Sequence, residues 1–318
     1  MRQKYSPNKL AITMGDPRGV GPEIIGQIAP VLLTQYPDID FICLGPQGFD
    51  PGIGEFVSVG VFEGTEASAG ATSALSIEKA SALALEGTVG GIVTGPIHKP
   101  ALQAAGWKDL DHTSMLARIT GSPDVGMLMN AEDSLSGHPL RVLLATTHIP
   151  FRSIASKLHT HLLVSQAKLL HQGLSTFWNM ESPKIALCGL NPHASDSGLF
   201  GDEEQTIFRP AIHELSDMGL NISGPLPADT VFIRALKGDF DAVIAPYHDV
   251  GMAAFKTATF GKGVNVTLGL PFIRTSPDHG TAFDIVGTGE VNTSSMLEAI
   301  QLAVRMSKNV FDTASHQA

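Results

Sequence analysis

Polar residues gather where the apolar runs of this chain stop. Thr146-Thr147-His148 follows Val142–Ala145, Asn191-Pro192-His193 follows Ile185–Leu190, and Tyr247-His248-Asp249 follows Val243–Ala245. Each group sets a histidine within a few residues of the carboxyl end of an expected strand, the edge where open α/β sheets bind ligands. Three neutral imidazoles meeting at one point would suit a divalent metal and leave positions open for substrate. Taken singly, each reads more readily as a hydrogen-bonded turn residue. No HExxH helix and no cysteine cluster specifies a metal by spacing. Only the repetition of context brings a metal forward.

His279-Gly280-Thr281-Ala282, preceded by Asp278 and followed by Asn292, is a second candidate. Glycine permits close backbone approach and the imidazole can stack on or hydrogen-bond to a base, although a plain turn has the same composition. Gly15-Asp16-Pro17-Arg18-Gly19-Val20-Gly21-Pro22-Glu23 follows a strand and opens a helix with Pro22 in its first turn. It contains GxG, yet Ile24 stands where a dinucleotide fingerprint needs its third glycine, and no P-loop lysine follows. Gly287-Thr288-Gly289 fails the same test, so any nucleotide is held without a standard Rossmann turn. Among the remaining polar residues, Thr113 could cap a helix running toward Ile119, setting backbone N–H groups and His112 at an anion site. Lys256, Asn265 and Arg274 could add to it, with solvent exposure the plain alternative for both cations.

The elements that must carry these residues alternate. Expected strands are Leu10–Met14, Phe41–Leu44, Gly91–Thr94, Val125–Met129, Leu140–Thr146, Ile185–Leu190, Ala242–Ala245 and Val264–Leu268. Between them, Ala71–Glu86 reads as a helix stopped by Gly87, and Glu203–Met218 and Asp229–Lys237 as helices with acidic first turns. Ser294–Lys308 reads as a last amphipathic helix before a fraying polar tail. This alternation is the signature of an α/β fold.

The chain has 318 residues, 43% hydrophobic and 16% charged, enough to bury a large core and too many for one ordinary domain. No apolar run reaches the ~20 residues of a membrane-spanning helix. The MRQKYSPNKL start lacks the apolar stretch of a secretory signal. Cys43 and Cys188 lie in apolar runs and read as buried thiols of a reducing, cytoplasmic compartment. A net charge of −10 without a basic run speaks against nucleic acid, and an anionic ligand would need a few local cations.

Taken in order, ITMGDPRGVGPEI, TGPIHK, HTSMLA, LLATTHIPFR, LNPHAS, GDEE, GPLPADT, YHDVGMAAFK and GVNVTLGLPFIRTSPDHGTA resemble one family, the 4-hydroxythreonine-4-phosphate dehydrogenases of vitamin B6 synthesis. The resemblance runs from about residue 10 to 290. The family is similar to isocitrate and isopropylmalate dehydrogenases, whose HGTA segment holds the adenosine of the dinucleotide, in place of a Rossmann fingerprint. The resemblance implies two α/β/α domains with a cleft between them. Residues 1–125 and 266–318 would hold both termini and the HGTA segment, and residues 126–265 the metal ligands and the dimer interface.

By the same resemblance, His148, His193 and His248 bind one divalent ion (Zn, Mg or Co), shared between the subunits of a homodimer. His112, Thr113, Lys256, Asn265 and Arg274 contact a phosphorylated substrate, and His279, Gly280, Thr281, Ala282 and Asn292 lie against NAD or NADP. Asp229, Asp249 and Lys256 stand near the chemistry. The chain reads Asp111-His112-Thr113-Ser114 where family members often read GHTE, and Tyr247-His248-Asp249-Val250-Gly251 where they often read YHDQG. Relatives with these motifs oxidise phosphorylated threonate or erythronate, or aromatic cis-dihydrodiols. Two other classes would use part of the same residues: a metal-dependent hydrolase or lyase without NAD, and a non-catalytic phospho-ligand binding protein.

Overall fold

The computed structural model describes residues 6–316; the first five residues of the N-terminal reading and the last two of the polar tail lie outside the described residues. In chain order the elements are β1 (Lys9–Thr13), α1 (Gly21–Gln35), β2 (Asp40–Gly45), β3 (Glu55–Ser58), α2 (Glu66–Leu85), β4 (Gly91–Thr94), α3 (Lys99–Ala104) and α4 (His112–Thr120). There follow β5 (Gly126–Ala131), β6 (Leu140–Leu144), α5 (Ile154–Lys157), α6 (Thr160–Trp178), β7 (Ile185–Cys188), α7 (Arg209–Asp217), β8 (Ile222–Leu226) and α8 (Ala228–Leu236). The chain ends with β9 (Ala242–Ala245), α9 (His248–Thr259), β10 (Val264–Leu268), β11 (Ile273–Pro277) and α10 (Ser294–His316). It divides into two compact units, Met1–Pro123 with Leu270–Ala318, and Asp124–Gly269.

The first unit carries parallel strands in the order β3-β2-β1-β4-β11. β4 and β11 are buried along their whole length, and β1 from its second residue, as befits parallel strands covered on both faces. Helix α2 starts at a capping box, in which Thr65 Oγ1 accepts from the Ser68 amide at 3.1 Å and Ser68 Oγ accepts from the Thr65 amide at 3.2 Å. Cys43 is 1% exposed, and burial pushes its thiol up to about 12.

The second unit has the order β10-β5-β6-β9-β7-β8. β5 runs antiparallel to both neighbours, whereas β6, β9, β7 and β8 are parallel. The three strands expected to end in histidines, β6, β9 and β7, are therefore adjacent and point the same way. Their core packs Val142, Leu144, Ala186, Val243 and Ala245 against Val231 and Phe232 of α8 and Met252 and Phe255 of α9. Gly251 seats α9 on this sheet: a Cβ there would lie 2.5 Å from Leu144 Cδ2 and 2.9 Å from Ala245 Cβ. Helix α9 consequently starts directly above the ends of β6 and β9.

Several expected elements differ. β6 stops at Leu144 and β7 at Cys188, each two residues short of the expected strand. Strands β3, β8 and β11 and helices α3, α5, α6 and α9 were absent from the expected alternation. β8 contains Gly224 and Pro225, tolerated because it is an edge strand. The expected helix over 203–218 is broken: Glu204–Phe208 is a π turn with Arg209 N donating to Glu204 O, and Pro210 supplies no amide to continue the earlier ladder. Helix α10 runs through the expected polar tail to His316.

Candidate active site

In the second unit the ends of β6 and β9 are stitched together. Ala145 N donates to Ala245 O at 2.9 Å, and Thr146 Oγ1 to Pro246 O at 2.8 Å. His148 follows with φ 42°, and His248 opens α9. Their ring centroids are 5.6 Å apart. They line a cavity of about 30 Å³ with Thr146, Thr147, Tyr247 and Asp249. His248 Nδ1 lies 2.8 Å from Asp249 Oδ1, which fixes that nitrogen and leaves Nε2 for a ligand. A carboxylate on the far nitrogen is how metal-binding histidines are commonly oriented.

His193 is placed differently. It begins a run of five non-glycine residues, His193 to Ser197, all with φ between 45° and 69°. Left-handed backbone costs an L-residue roughly 1–2 kcal/mol, so such a run persists only where its surroundings fix it. His193 Nδ1 stands 3.8 Å from Asp229 Oδ2, in the first turn of α8. Among the described residues, no three His, Cys, Asp or Glu side chains converge as a metal group within one chain. The chain brings His148 and His248 together and sets His193 beside Asp229. The donor chemistry still fits a divalent ion: imidazoles, two held on strained backbone, with carboxylates behind two of them.

Lys256 is exposed two turns along α9, and Asn265 lies on β10 with its Oδ1 buried and without a partner. Cys188 is fully buried, and burial, with Glu204 and Asp229 adding, pushes its thiol up to about 12. Burial also raises the Tyr247 phenol, with Cys188 and Asp249 adding.

In the first unit Arg274 is not at the surface. It is 2% exposed on β11, and its Nε and Nη2 donate to Thr94 Oγ1 at 3.1 and 2.7 Å. Burial lowers its pKa to about 10, against the opposing pull of Asp111, so it is a cation at neutral pH. His112, the first residue of α4, has a buried Nε2 without a partner. Burial, then Arg274, holds its pKa well below the ordinary value, so the ring is neutral. A buried guanidinium beside an unsatisfied imidazole nitrogen is a site that an anion would complete. Thr113 does not cap the helix; Asp111 does, accepting from Ser114 N at 2.9 Å. Its carboxylate precedes the helix and can reach the orphan amides, whereas Thr113, two residues later, already lies inside the first turn.

The HGTA segment leaves β11 through Asp278, which bonds Ser295 of α10. His279 Nδ1 lies 2.9 Å from Gly280 O, while its Nε2 is buried and without a partner. Gly280 faces open space: a Cβ there would meet nothing within 4 Å. Asn292 uses its Oδ1 locally, accepting from Ser294 N at 2.9 Å ahead of α10. The loop after β1 braces this segment. Val20 N donates to Thr281 O at 2.9 Å, and a Cβ on Gly19 would come within 2.8 Å of the same oxygen. Gly19 N donates to Asp16 O and Arg18 N to Asp16 Oδ1. The amides that would cradle a pyrophosphate in a Rossmann turn are thus already committed. An orphan imidazole nitrogen beside an open glycine suits the adenosine of a dinucleotide. Sequence reading places Thr94 only at the end of the expected strand Gly91–Thr94, with nothing there to mark it as the hydrogen-bond partner of Arg274.

The sequence profile of the family described as pyridoxal phosphate biosynthetic protein PdxA matches residues 52–303. The chain is 39% identical to a 4-hydroxythreonine-4-phosphate dehydrogenase of Aromatoleum aromaticum, over 93% of this chain and 96% of that protein. It is 36% identical to a D-threonate 4-phosphate dehydrogenase of Pectobacterium atrosepticum, over 93% and 98%. A crystal structure of 4-hydroxythreonine-4-phosphate dehydrogenase from Klebsiella pneumoniae superposes with a TM-score of 0.81 at 35% identity, covering 94% of this chain and 99% of that one. With the family's profile spanning most of its length and a relative this similar along nearly all of it, the chain belongs to the PdxA family of dehydrogenases.

Proposed function

We propose that the protein oxidises 4-phosphooxy-L-threonine with NAD or NADP and one divalent metal ion (Zn, Mg or Co). The product, 2-amino-3-oxo-4-phosphooxybutanoate, is a β-keto acid and loses CO₂ to give 3-amino-2-oxopropyl phosphate for pyridoxal 5′-phosphate synthesis. The observation that carries this reading is the buried Arg274 guanidinium with the partnerless Nε2 of His112, an arrangement that calls for a phosphate or carboxylate. The names of the relatives support it.

In this reading Arg274, His112 and Thr113, with Lys256 and Asn265, bind and orient the phosphorylated substrate. His279 to Ala282, with Asn292, hold the dinucleotide that takes the hydride. His148, His193 and His248 hold the metal ion, which when bound supplies Lewis acidity that lowers the pKa of a hydroxyl. Ligands drawn from two copies of the chain account for the pairing of only His148 with His248 inside one. Asp229 Oδ2 beside His193 and Asp249 Oδ1 beside His248 are the two candidates to take the hydroxyl proton, directly or through solvent. Lys256 balances substrate charge. A homodimer in the cytoplasm follows from the same reading; among the described residues no helix is long and apolar enough to cross a membrane.

Oxidation of D-threonate 4-phosphate is the second reading, favoured by the Pectobacterium relative and by Asp111 and Ser114 in place of the glycine and glutamate of GHTE. A panel of 4-phosphooxy-L-threonine, 4-phospho-threonate, 4-phospho-erythronate and a cis-dihydrodiol, each with NAD and metal, tests both. The highest kcat/KM is expected for 4-phosphooxy-L-threonine. A tenfold preference for the threonate would establish the second reading, and turnover of none would overturn both.

A further inference from the structure

The GDEE segment contains two adjacent glutamates with different fates. Glu203 is half-buried, whereas Glu204 is 1% exposed at the start of the π turn. Glu204 Oε1 accepts from the amides of Leu190 and Asn191 at 2.8 and 2.7 Å. Its Oε2 accepts from Asn191 Nδ2 at 2.9 Å, and Glu203 Oε2 accepts from the same amide at 2.7 Å. These bonds hold the segment between β7 and the left-handed run that starts at His193. Inside that run, Ala194 N donates to Asn191 O at 3.0 Å, and the buried Ser195 accepts from Gly198 and Phe200. Asn191 therefore links the carboxylate to the turn: its side chain and amide go to Glu204, and its carbonyl closes the first bond of the run. Cys188 Sγ adds only a weak bond to Gly189 O at 3.4 Å, and an unfavourable backbone run needs fixing at its entrance.

We propose that Glu204 is a positioning residue for His193: its buried carboxylate clamps Leu190 and Asn191 and so sets the left-handed turn that presents the imidazole to the metal. The proposal rests on the reading of His193 as a metal ligand. Glu204 itself touches neither metal nor substrate. In Glu204→Gln one end of the side chain becomes an NH₂ group. Whichever way that amide is turned, it meets a donor, either the Leu190 and Asn191 amides or Asn191 Nδ2, so the clamp fails without any change in side-chain length.

The test compares the unsubstituted protein with Glu204→Gln, Asn191→Ala and His193→Ala. Metal affinity is read by Co²⁺ absorbance and by competition for Zn²⁺ with a chromophoric chelator. Amide hydrogen exchange over residues 190–197 is measured without metal. Glu204→Gln is expected to bind metal about 10- to 100-fold more weakly, the usual cost of losing an outer partner of a ligand. Exchange of its 190–197 segment should rise at least tenfold, while its melting temperature and NAD affinity stay near those of the unsubstituted protein. Asn191→Ala, which keeps the buried carboxylate, should show the same changes at smaller size and provides the readout if Glu204→Gln does not fold. Metal binding lost in His193→Ala but unchanged in Glu204→Gln and Asn191→Ala would overturn the positioning role. If the unsubstituted protein takes up neither ion, the metal reading fails; raised exchange in Glu204→Gln would then leave the clamp standing without its proposed purpose, and unchanged exchange would remove the clamp as well.

Discussion

Replacing Arg274 by alanine tests the anion site most directly. The guanidinium is 2% exposed and two of its nitrogens are spent on Thr94 Oγ1, so it cannot swing to solvent, and its charge, felt also by Asp111, stays in the pocket. A hydrogen bond to a charged group is worth roughly 1.5–3 kcal/mol. At about 1.4 kcal/mol per decade, KM for the phosphorylated substrate should rise between about tenfold and 150-fold. KM for NAD should hold, because the HGTA segment is braced by Val20 and Gly19, not by Arg274. Removing the cation also removes the second cause of the low His112 pKa and leaves the first, burial, in place. The imidazole should therefore titrate higher in the variant, yet still below its ordinary value. Steady-state kinetics from pH 5.5 to 8.5, with an NMR titration of His112, measure both. A substrate KM changed by less than threefold would show that Arg274 is a structural cation of β11 and would refute the assignment.

His112 also links folding to pH. Its folded pKa lies below the unfolded value, so below about pH 6.5 the unfolded chain binds more protons. This contribution to stability is complete above that value and is lost as pH falls toward the folded pKa, at no more than about 1.4 kcal/mol per pH unit. His112→Gln should flatten that limb in urea titrations between pH 5 and 6.5; an identical slope would contradict the burial of the ring nitrogen. Gly19→Ala would push a methyl onto Thr281 O, at a cost of about 1–3 kcal/mol, and should weaken NAD binding at least fivefold in calorimetry while leaving metal affinity intact. Equal NAD affinity would mean that the loop after β1 does not brace the HGTA segment. Ser197→Gly places the residue that best tolerates φ 61° at an exposed position and should raise the melting temperature by roughly 2 °C. A fall would show that the hydroxyl has an unrecognised partner.

What the sequence made legible was the framework. β1, β4, β6, β7, β9 and β10 are short apolar runs buried almost throughout, and their pattern survives without tertiary information. β11 did not stand out because IRTSP carries arginine, threonine and serine into a fully buried strand, and with it went the burial of Arg274. Which histidines meet was not legible either. It depends on stitched strand ends and on a left-handed run that composition does not announce, since none of the residues from His193 to Ser197 is glycine. Glu203 and Glu204 look alike in sequence, both suited to an acidic first turn. Only the π turn, made where Pro210 interrupts the ladder, sends one inward.

The turn after β1 shows why a motif has to be read through its hydrogen bonds. Ile24→Gly would complete a GxGxxG pattern on paper, with Gly19 and Gly21 already present. In the fold, the amides of Arg18, Gly19 and Val20 go to Asp16 and Thr281, so these three donors do not face a pyrophosphate. Ile24 is 1% exposed on the buried face of α1, and deleting its side chain should cost about 2–5 kcal/mol, with the helix penalty of glycine added. The variant is expected to melt well below the unsubstituted protein, with NAD affinity no better. Tighter NAD binding by Ile24→Gly would mean that the amides can be released, and that this dehydrogenase and the Rossmann enzymes differ by one side chain instead of by the commitment of a whole loop.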